Sequence, residues 1–172
     1  MVLLYMKQKY VSKQEKILVK NEQGKDMYLI SGRWGRVGDK ISLYAIDGTL
    51  LVEFKQTVLS LFPKFDIYIQ DKKIGSIVKH RTLKTVYFKV TPLNWIVTGD
   101  FYNHHYFVRY ENQLVMELDK TYTSIGDYYR LSISEAQYAT ICLCIALIVD
   151  NLTLTRLPKP ALKKVSRALQ TF

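Results

Sequence analysis

One segment near the carboxyl end limits what the rest of this chain can form. Within residues 138–149 every side chain except Thr140 is apolar or a cysteine. Ser134 followed by Gln137 fits a capping box, so the sequence predicts a helix over residues 135–151. A helix without a polar face must be surrounded on all sides. Because the apolar run is shorter than a membrane span needs, we expect the rest of the chain to enclose this helix.

The predicted core of the helix includes the only two cysteines. Their spacing of two residues points them to different sides of a helix, so they can neither bridge each other nor share a metal. We therefore expect buried thiols, which suits a reducing compartment. The three histidines come with no second ligand at metal spacing, and no metal or cofactor is predicted. The central helix core is assigned to Ile141, Cys142, Cys144, Ile145 and Ile148.

The preceding residues alternate between apolar and polar side chains, which is typical of strands with one buried face. Such strands must either pair two sheets or close into a barrel, and a barrel can enclose the helix. We therefore predict a mainly β fold, a closed twelve-stranded antiparallel β-barrel around a central hydrophobic carboxyl-terminal helix. Its strands are expected at about 3–9, 15–20, 26–33, 40–46, 50–58, 64–70, 73–79, 84–90, 95–101, 105–110, 113–121 and 127–133.

The chain also repeats one pattern three times. A polar pair is followed by a serine five residues after its first member, and apolar residues come five and seven positions beyond the serine. Equal spacing in three places indicates a repeated strand–turn–strand unit. The copies are Lys7-Gln8, Ser12, Ile17 and Val19; Lys55-Gln56, Ser60, Phe65 and Ile67; and Asp119-Lys120, Ser124, Tyr129 and Leu131.

The net charge of +10 is unevenly spread along the 172 residues. Residues 1–85 hold 16 basic and 8 acidic side chains, residues 86–152 hold 4 and 7, and residues 153–172 hold 5 basic and no acidic ones. This asymmetry predicts an electropositive face and a basic tail. In the tail, apolar residues recur at helical spacing between the basic ones. A short amphipathic helix of this kind can lie on an anionic membrane or dock on the barrel.

Three segments stand out in order along the chain: Lys55-Gln56 with Ser60; Trp95, Val97 and Gly99-Asp100-Phe101; and Asp119-Lys120, Ser124, Gly126-Asp127 and Tyr129, followed by the apolar helix. Together they resemble the LURP-one-related family, which shares a superfamily with Tubby carboxyl-terminal domains and phospholipid scramblases. The resemblance covers about residues 3–152. It implies a twelve-stranded barrel around a central helix, and the Tubby relatives bind phosphoinositides through basic surface residues. Two scramblase features, a cysteine-rich lipidation cluster and a proline-rich amino-terminal segment, do not occur in this sequence.

We therefore divide the chain into a barrel domain, residues 1–152, and a basic tail, residues 153–172. The predicted function is a non-catalytic binding or scaffold module that engages anionic phospholipid at the cytoplasmic membrane surface. The alternative is a regulatory module for nucleic acid or an acidic protein; lipid scrambling and carriage of a small apolar ligand rank below both. The candidate anion-binding residues are Arg33, Arg36, Lys40, Lys55, Lys72, Lys73, Lys159, Lys163, Lys164 and Arg167.

Enzymatic activity is not expected from this sequence. The glycine-rich segment 32–40 lacks the Gly-Lys-Ser/Thr of a phosphate loop and is not followed by a helical pattern, so it is predicted to join two strands. No nucleophile–base pattern is recognisable. The first seven residues lack a basic region and a cleavage site, which favours a cytoplasmic protein, peripheral at the membrane.

Overall fold

The strands of this chain, each with one apolar face, close into one barrel. The computed structural model describes residues 1–7, 15–33, 38–123 and 126–154. Each strand pairs antiparallel with its neighbours in the chain, and the first strand also pairs with the last. The strands are β1 (Val2–Lys7), β2 (Glu15–Asn21), β3 (Asp26–Arg33), β4 (Lys40–Ala45), β5 (Leu50–Gln56), β6 (Lys64–Ile69), β7 (Lys72–Arg81), β8 (Val86–Thr91), β9 (Trp95–Asp100), β10 (His105–Tyr110), β11 (Gln113–Thr123) and β12 (Gly126–Ile133).

The predicted central helix lies inside this barrel. A 3₁₀ turn at Ala136–Tyr138 leads into α1 (Ala139–Leu154), which ends three residues later than the sequence indicates. The segment Ala136–Thr153 is long and apolar enough to cross a membrane by length and composition, yet most of it is buried in the barrel. The predicted core residues Cys142, Cys144, Ile145 and Ile148 are fully buried, and Ile141 is partly buried against them.

The capping box predicted at the start of the helix does not form as expected. The residue that precedes the 3₁₀ turn is Glu135 rather than Ser134, and its side chain caps no backbone N–H group. The side chain of Gln137 instead donates to a carboxylate oxygen of Glu135 at 2.6 Å. The Ser134 N–H group donates to the Val115 carbonyl, which ties the start of the helical segment to β11.

The barrel wall and the helix bury one common core. Inward-facing strand residues such as Phe54, Phe65 and Phe88 are fully buried against α1. The Tyr106 hydroxyl donates to the backbone carbonyl of Ala146 at 3.1 Å, so β10 is hydrogen-bonded directly to the helix. The helix thus occupies the centre of the barrel, where a small apolar ligand would otherwise sit.

The three copies of the repeated sequence pattern fall on three pairs of consecutive strands. In each pair the first strand ends, and the second begins, at the same end of the barrel. The copies span the ends of β1, β5 and β11 and the starts of β2, β6 and β12. The paired apolar positions of every copy face inward and are buried, whereas Ser12 and Ser124 lie outside the described residues. The buried pairs are Ile17 and Val19, Phe65 and Ile67, and Tyr129 and Leu131.

The two ends of the barrel carry different connections. At one end, here called the turn end, adjacent strands are joined by the short connections 22–25, 46–49, 70–71, 92–94 and 111–112. At the other, here called the loop end, the fully described connections are 57–63, 82–85 and 101–104. The carboxyl end of α1 lies at the loop end, where Thr153 lines a groove with residues of β7 and loop 57–63.

At Gly99 the backbone of β9 lies very close to that of β10, so a substitution there probes the packing of the barrel wall. Its φ of +146° disfavours other residues, and an added Cβ would lie 2.5 Å from the Tyr106 Cα. We expect Gly99→Ala to lower the free energy of unfolding by about 3 kcal/mol or more, measured by urea denaturation. The control is Gly48→Ala, where φ is +90° and nothing lies within 4 Å, so that only about 1 kcal/mol is lost. Equal losses in the two variants would contradict this account.

Candidate functional site

Four lysines surround two carboxylates on the outer wall of β4–β7. Alternation places Ile41, Phe54 and Phe65 inside the barrel, so their immediate neighbours in sequence point outward. Strand pairing sets Lys40 opposite Lys55, and Lys55 opposite Asp66. We call this surface the lysine face; it consists of Lys40, Lys55, Lys64 and Lys73 with Glu53 and Asp66.

Glu53 is the more buried carboxylate of the lysine face, with its side chain only 7% exposed. Its Oε1 accepts a hydrogen bond from the Ser42 hydroxyl at 3.1 Å and contacts the Lys40 ammonium, while Oε2 lies 3.2 Å from Lys55 Nζ. Burial alone would raise the pKa of Glu53, but hydrogen bonds from Lys40, Lys55 and Ser42 outweigh it. The pKa is therefore lowered, and Glu53 is charged at neutral pH.

Asp66 holds the other two lysines in the same way. Lys73 Nζ lies 3.0 Å from Oδ2 and Lys64 Nζ lies 3.4 Å from Oδ1, and the Thr57 hydroxyl donates to Oδ2 at 3.2 Å. Burial raises the pKa of Asp66, but hydrogen bonds from Lys73 and Lys64 lower it further than burial raises it. Thr57 begins loop 57–63, so Asp66 also connects the lysine face to the loop end.

The structure brings together some of the basic residues singled out in the sequence. Lys40, Lys55 and Lys73 belong to the lysine face. Lys72 begins β7 at the turn end and is exposed there. Arg33 is the last residue of β3 and pairs with Lys40 at the loop end. Its side chain lies outside the described part of the structure. The remaining candidates lie outside the described residues: Arg36, Lys159, Lys163, Lys164 and Arg167.

Sequence reasoning missed Lys64 and both carboxylates of the lysine face. The signal available was the alternation in Lys64-Phe65-Asp66, which puts the two charged residues on the outside. The alternation does not predict which residues pair across the strands, because irregularities at Leu43/Tyr44 and at Ile67/Tyr68 shift the register. The aromatic ring under Lys55 was missed for the same reason: Lys55 Nζ lies 4.5 Å from the centroid of Tyr68.

A groove of about 430 Å³ lies at the loop end, beside the end of α1. Lys79 extends into it from β7 and donates to the Leu152 carbonyl at 2.5 Å. The last carbonyls of a helix have no partner within the helix and carry partial negative charge, so this ammonium stabilises the end of α1. The groove is lined by Leu61, Phe62, Pro63, Lys79, Arg81, Val86 and Thr153.

A buried polar cluster fixes the same end of the helix from the other side. Tyr129 Oη lies 3.0 Å and 3.1 Å from the two carboxylate oxygens of Asp150, and 3.2 Å from His104 Nδ1. His104 Nδ1 is also 2.9 Å from Asp150 Oδ1. His104 lies in the turn between β9 and β10, with φ of +54°. The contacts join β12 and loop 101–104 to α1.

His105 has acidic neighbours that its own segment of sequence does not reveal. Pairing of β10 with β11 brings it within 4.8 Å of Glu117 and Asp119, a set of atoms with metal-ligand chemistry. Asp119 already contacts His105 Nδ1 through one oxygen and Arg130 through the other, at 3.1 Å for the arginine. Asp119 therefore joins His105 and Arg130 in a polar network on the outer wall.

The structure defines the class of protein as a closed twelve-stranded β-barrel filled by its own carboxyl-terminal helix. The family model described as LURP-one-related matches residues 2–150, and the chain belongs to this family. It is similar to YxjI, an uncharacterised protein of Bacillus subtilis strain 168, at 28% identity over 150 residues, 87% of this chain and 93% of YxjI. No solved structure matches the chain. Neither the family description nor that relative names a catalytic activity.

The two carboxylates of the lysine face predict an acid-dependent loss of stability. Because their pKa values are lower in the folded than in the unfolded chain, their contribution is complete above about pH 5 and is lost as the pH falls through the folded values. We expect the double variant Glu53→Gln/Asp66→Asn to be about 2 kcal/mol less stable at pH 7. Urea denaturation between pH 7 and pH 3 should show a flatter pH dependence for it than for the natural chain.

The matched control is Asp71→Asn, which removes an exposed carboxylate in turn 70–71. Asparagine tolerates the positive φ of this position, so backbone strain does not enter the comparison. The control should follow the pH curve of the natural chain. A double variant whose curve ran parallel to that of the natural chain would contradict the assignment.

Proposed function

We propose that this protein is a non-catalytic binding module that engages anionic phospholipid at a membrane surface through the lysine face. The observation that carries the proposal is the convergence of four lysines around two carboxylates, which leaves two positive charges in excess on one outer surface. The net charge of +10 supports the same partner, because it favours approach to a negative surface. The phosphoinositide binding of the Tubby relatives supports it by analogy.

The lysines keep donors for an external ligand. An ammonium group has three N–H donors, and the side chains of Lys40, Lys55 and Lys73 are 51%, 41% and 48% exposed. Glu53 and Asp66 hold the lysines in a defined arrangement, which reduces the entropy that binding would remove. They also oppose anion binding, so the balance favours a weak, reversible and salt-sensitive contact.

Among the other candidate functions, carriage of a small apolar ligand has less support from the structure. A carrier of a small apolar ligand needs an interior cavity, and α1 occupies the centre of this barrel. Binding of nucleic acid or of an acidic protein would use the same positive charge. Binding of nucleic acid and of an acidic protein should therefore be measured in the same experiment as vesicle binding.

The test neutralises one lysine beside each carboxylate. In Lys55→Gln/Lys73→Gln, Glu53 keeps Lys40 and Asp66 keeps Lys64, so that neither carboxylate is left unpaired. Each basic residue near an anionic surface contributes about 1 kcal/mol, so removing two should cost about 2 kcal/mol, which is about 30-fold weaker binding to phosphatidylserine vesicles at low salt. Vesicle co-sedimentation measures this. Binding of the natural chain should disappear at about 0.5 M salt.

The matched control is Lys25→Gln/Lys89→Gln, which removes the same charge from two exposed lysines outside the lysine face. It should change vesicle binding less than about twofold. Equal binding of the natural chain to neutral and anionic vesicles would refute the proposal. Tighter, saturable binding of an RNA or an acidic protein would assign the lysine face to that partner instead.

A further inference from the structure

The most exposed apolar side chains of the described structure, apart from Met1, lie on two loops at the loop end. Leu59 and Leu61 are 96% and 99% exposed, and Leu83 is fully exposed. Val58 and Phe62, on loop 57–63 with Leu59 and Leu61, are about half exposed. Exposing these side chains to water costs about 25 cal/mol per Å² of apolar surface relative to burying them. A cluster of this kind on a folded protein marks a contact surface.

The two loops form one surface. The Lys79 N–H group donates to the Pro63 carbonyl at 2.9 Å, which joins β7 to loop 57–63. The rings of Phe62 and His80 are 5.8 Å apart, and His80 stacks on Tyr87 of β8 at 5.0 Å. Residues of both hairpins also line the groove beside α1.

Hydrogen bonds hold Leu83 outward at the tip of its turn. The Thr82 N–H group donates to the Thr85 carbonyl at 2.8 Å, and the Thr82 hydroxyl oxygen accepts from the N–H groups of Lys84 and Thr85. These contacts define a closed turn between β7 and β8. The exposure of Leu83 is therefore a feature of an ordered turn.

The charged residues within the two loops and among the strand residues next to them in sequence are all basic. Residues 57–64 and 79–86 contain four basic side chains and no Asp or Glu. Arg81 and Lys84 are exposed and flank Leu83 in sequence. Apolar tips on loops whose own charged residues are all basic match the two layers of an anionic lipid surface, which offers phosphate groups above an apolar interior. The nearby carboxylate of Asp66, which contacts Thr57 and Lys64, belongs to the lysine face. The basic side chains are Lys64, Lys79, Arg81 and Lys84.

We propose that the loop end of the barrel docks on an anionic bilayer, with Leu59, Leu61 and Leu83 inserted at the boundary between headgroups and acyl chains. Arg81 and Lys84 contact lipid phosphates beside them. This inference rests on the proposed function and adds to it the orientation of the barrel and an apolar component of binding. Lys64 and Thr57 connect the loop end to the lysine face, so both surfaces can engage one membrane.

The first experiment replaces the three leucines without changing charge. We expect Leu59→Ser/Leu61→Ser/Leu83→Ser to bind phosphatidylserine vesicles at least tenfold more weakly than the natural chain, with the remaining binding more sensitive to salt. The control, Ile46→Ser/Leu114→Ser, removes exposed apolar side chains near the turn end and should bind like the natural chain. Thermal unfolding of each variant shows whether the fold is retained.

The second experiment detects insertion directly. Leu83→Cys carries an environment-sensitive fluorophore, and the native Cys142 and Cys144 stay unlabelled because both are fully buried. Emission should shift to the blue on addition of anionic vesicles and stay unchanged with neutral ones. A fluorophore at Ile46→Cys, at the turn end, should show no shift with either.

The outcomes separate this inference from the proposed function. If the natural chain does not bind anionic vesicles, both fail. If it binds, but the serine variant binds equally and the fluorophore at position 83 shows no shift, the loop end is not inserted and only this inference fails. If the serine substitutions abolish self-association or a protein complex while vesicle binding persists, the leucines contact a protein, and the membrane assignment of the loop end is wrong.

Discussion

The mutual burial of α1 and the inward strand faces is the constraint on which the rest of this structure depends. The helix has no polar face, and each strand has one apolar face, so neither is stable in water without the other. The Tyr106 hydroxyl bonded to Ala146, Lys79 at the Leu152 carbonyl and the cluster around Asp150 then fix the helix in place. Because the centre of the barrel is occupied by the chain itself, contacts with partners fall to the outer wall and the two ends.

The fold follows from the sequence far more completely than the candidate site does. Alternation locates all twelve strands within a few residues, since burial of one face repeats every second residue. The lysine face requires the register in addition: Lys40 meets Lys55, and both meet Glu53, only after pairing irregularities have shifted the strands. Likewise, His104 meets Tyr129 and Asp150 from a turn residue with positive φ, and nothing in its neighbouring sequence indicates these contacts.

The lysine face shows how a barrel wall can carry charge without losing stability. Isolated burial of Glu53 or Asp66 would be unfavourable, and two lysines with a hydroxyl compensate each carboxylate. The lysines in turn keep their ammonium groups partly in solvent while their stems lie along the wall. Stability and an electropositive surface therefore come from the same contacts, so both carboxylates serve the fold and the positioning of the cations.

The two ends of the barrel differ in the geometry of their connections and in the apolar surface that these connections expose. At the turn end, Asp71, Asn94 and Glu111 adopt positive φ values that tight connections require, and the strands are joined by few residues. At the loop end, loop 57–63 is longer than closing a hairpin needs and exposes leucines that contribute nothing to the core. Their side chains face solvent, so the core does not require them to be apolar. The proposed partner, apolar inside and anionic outside, would account for an exposed apolar surface flanked by cations.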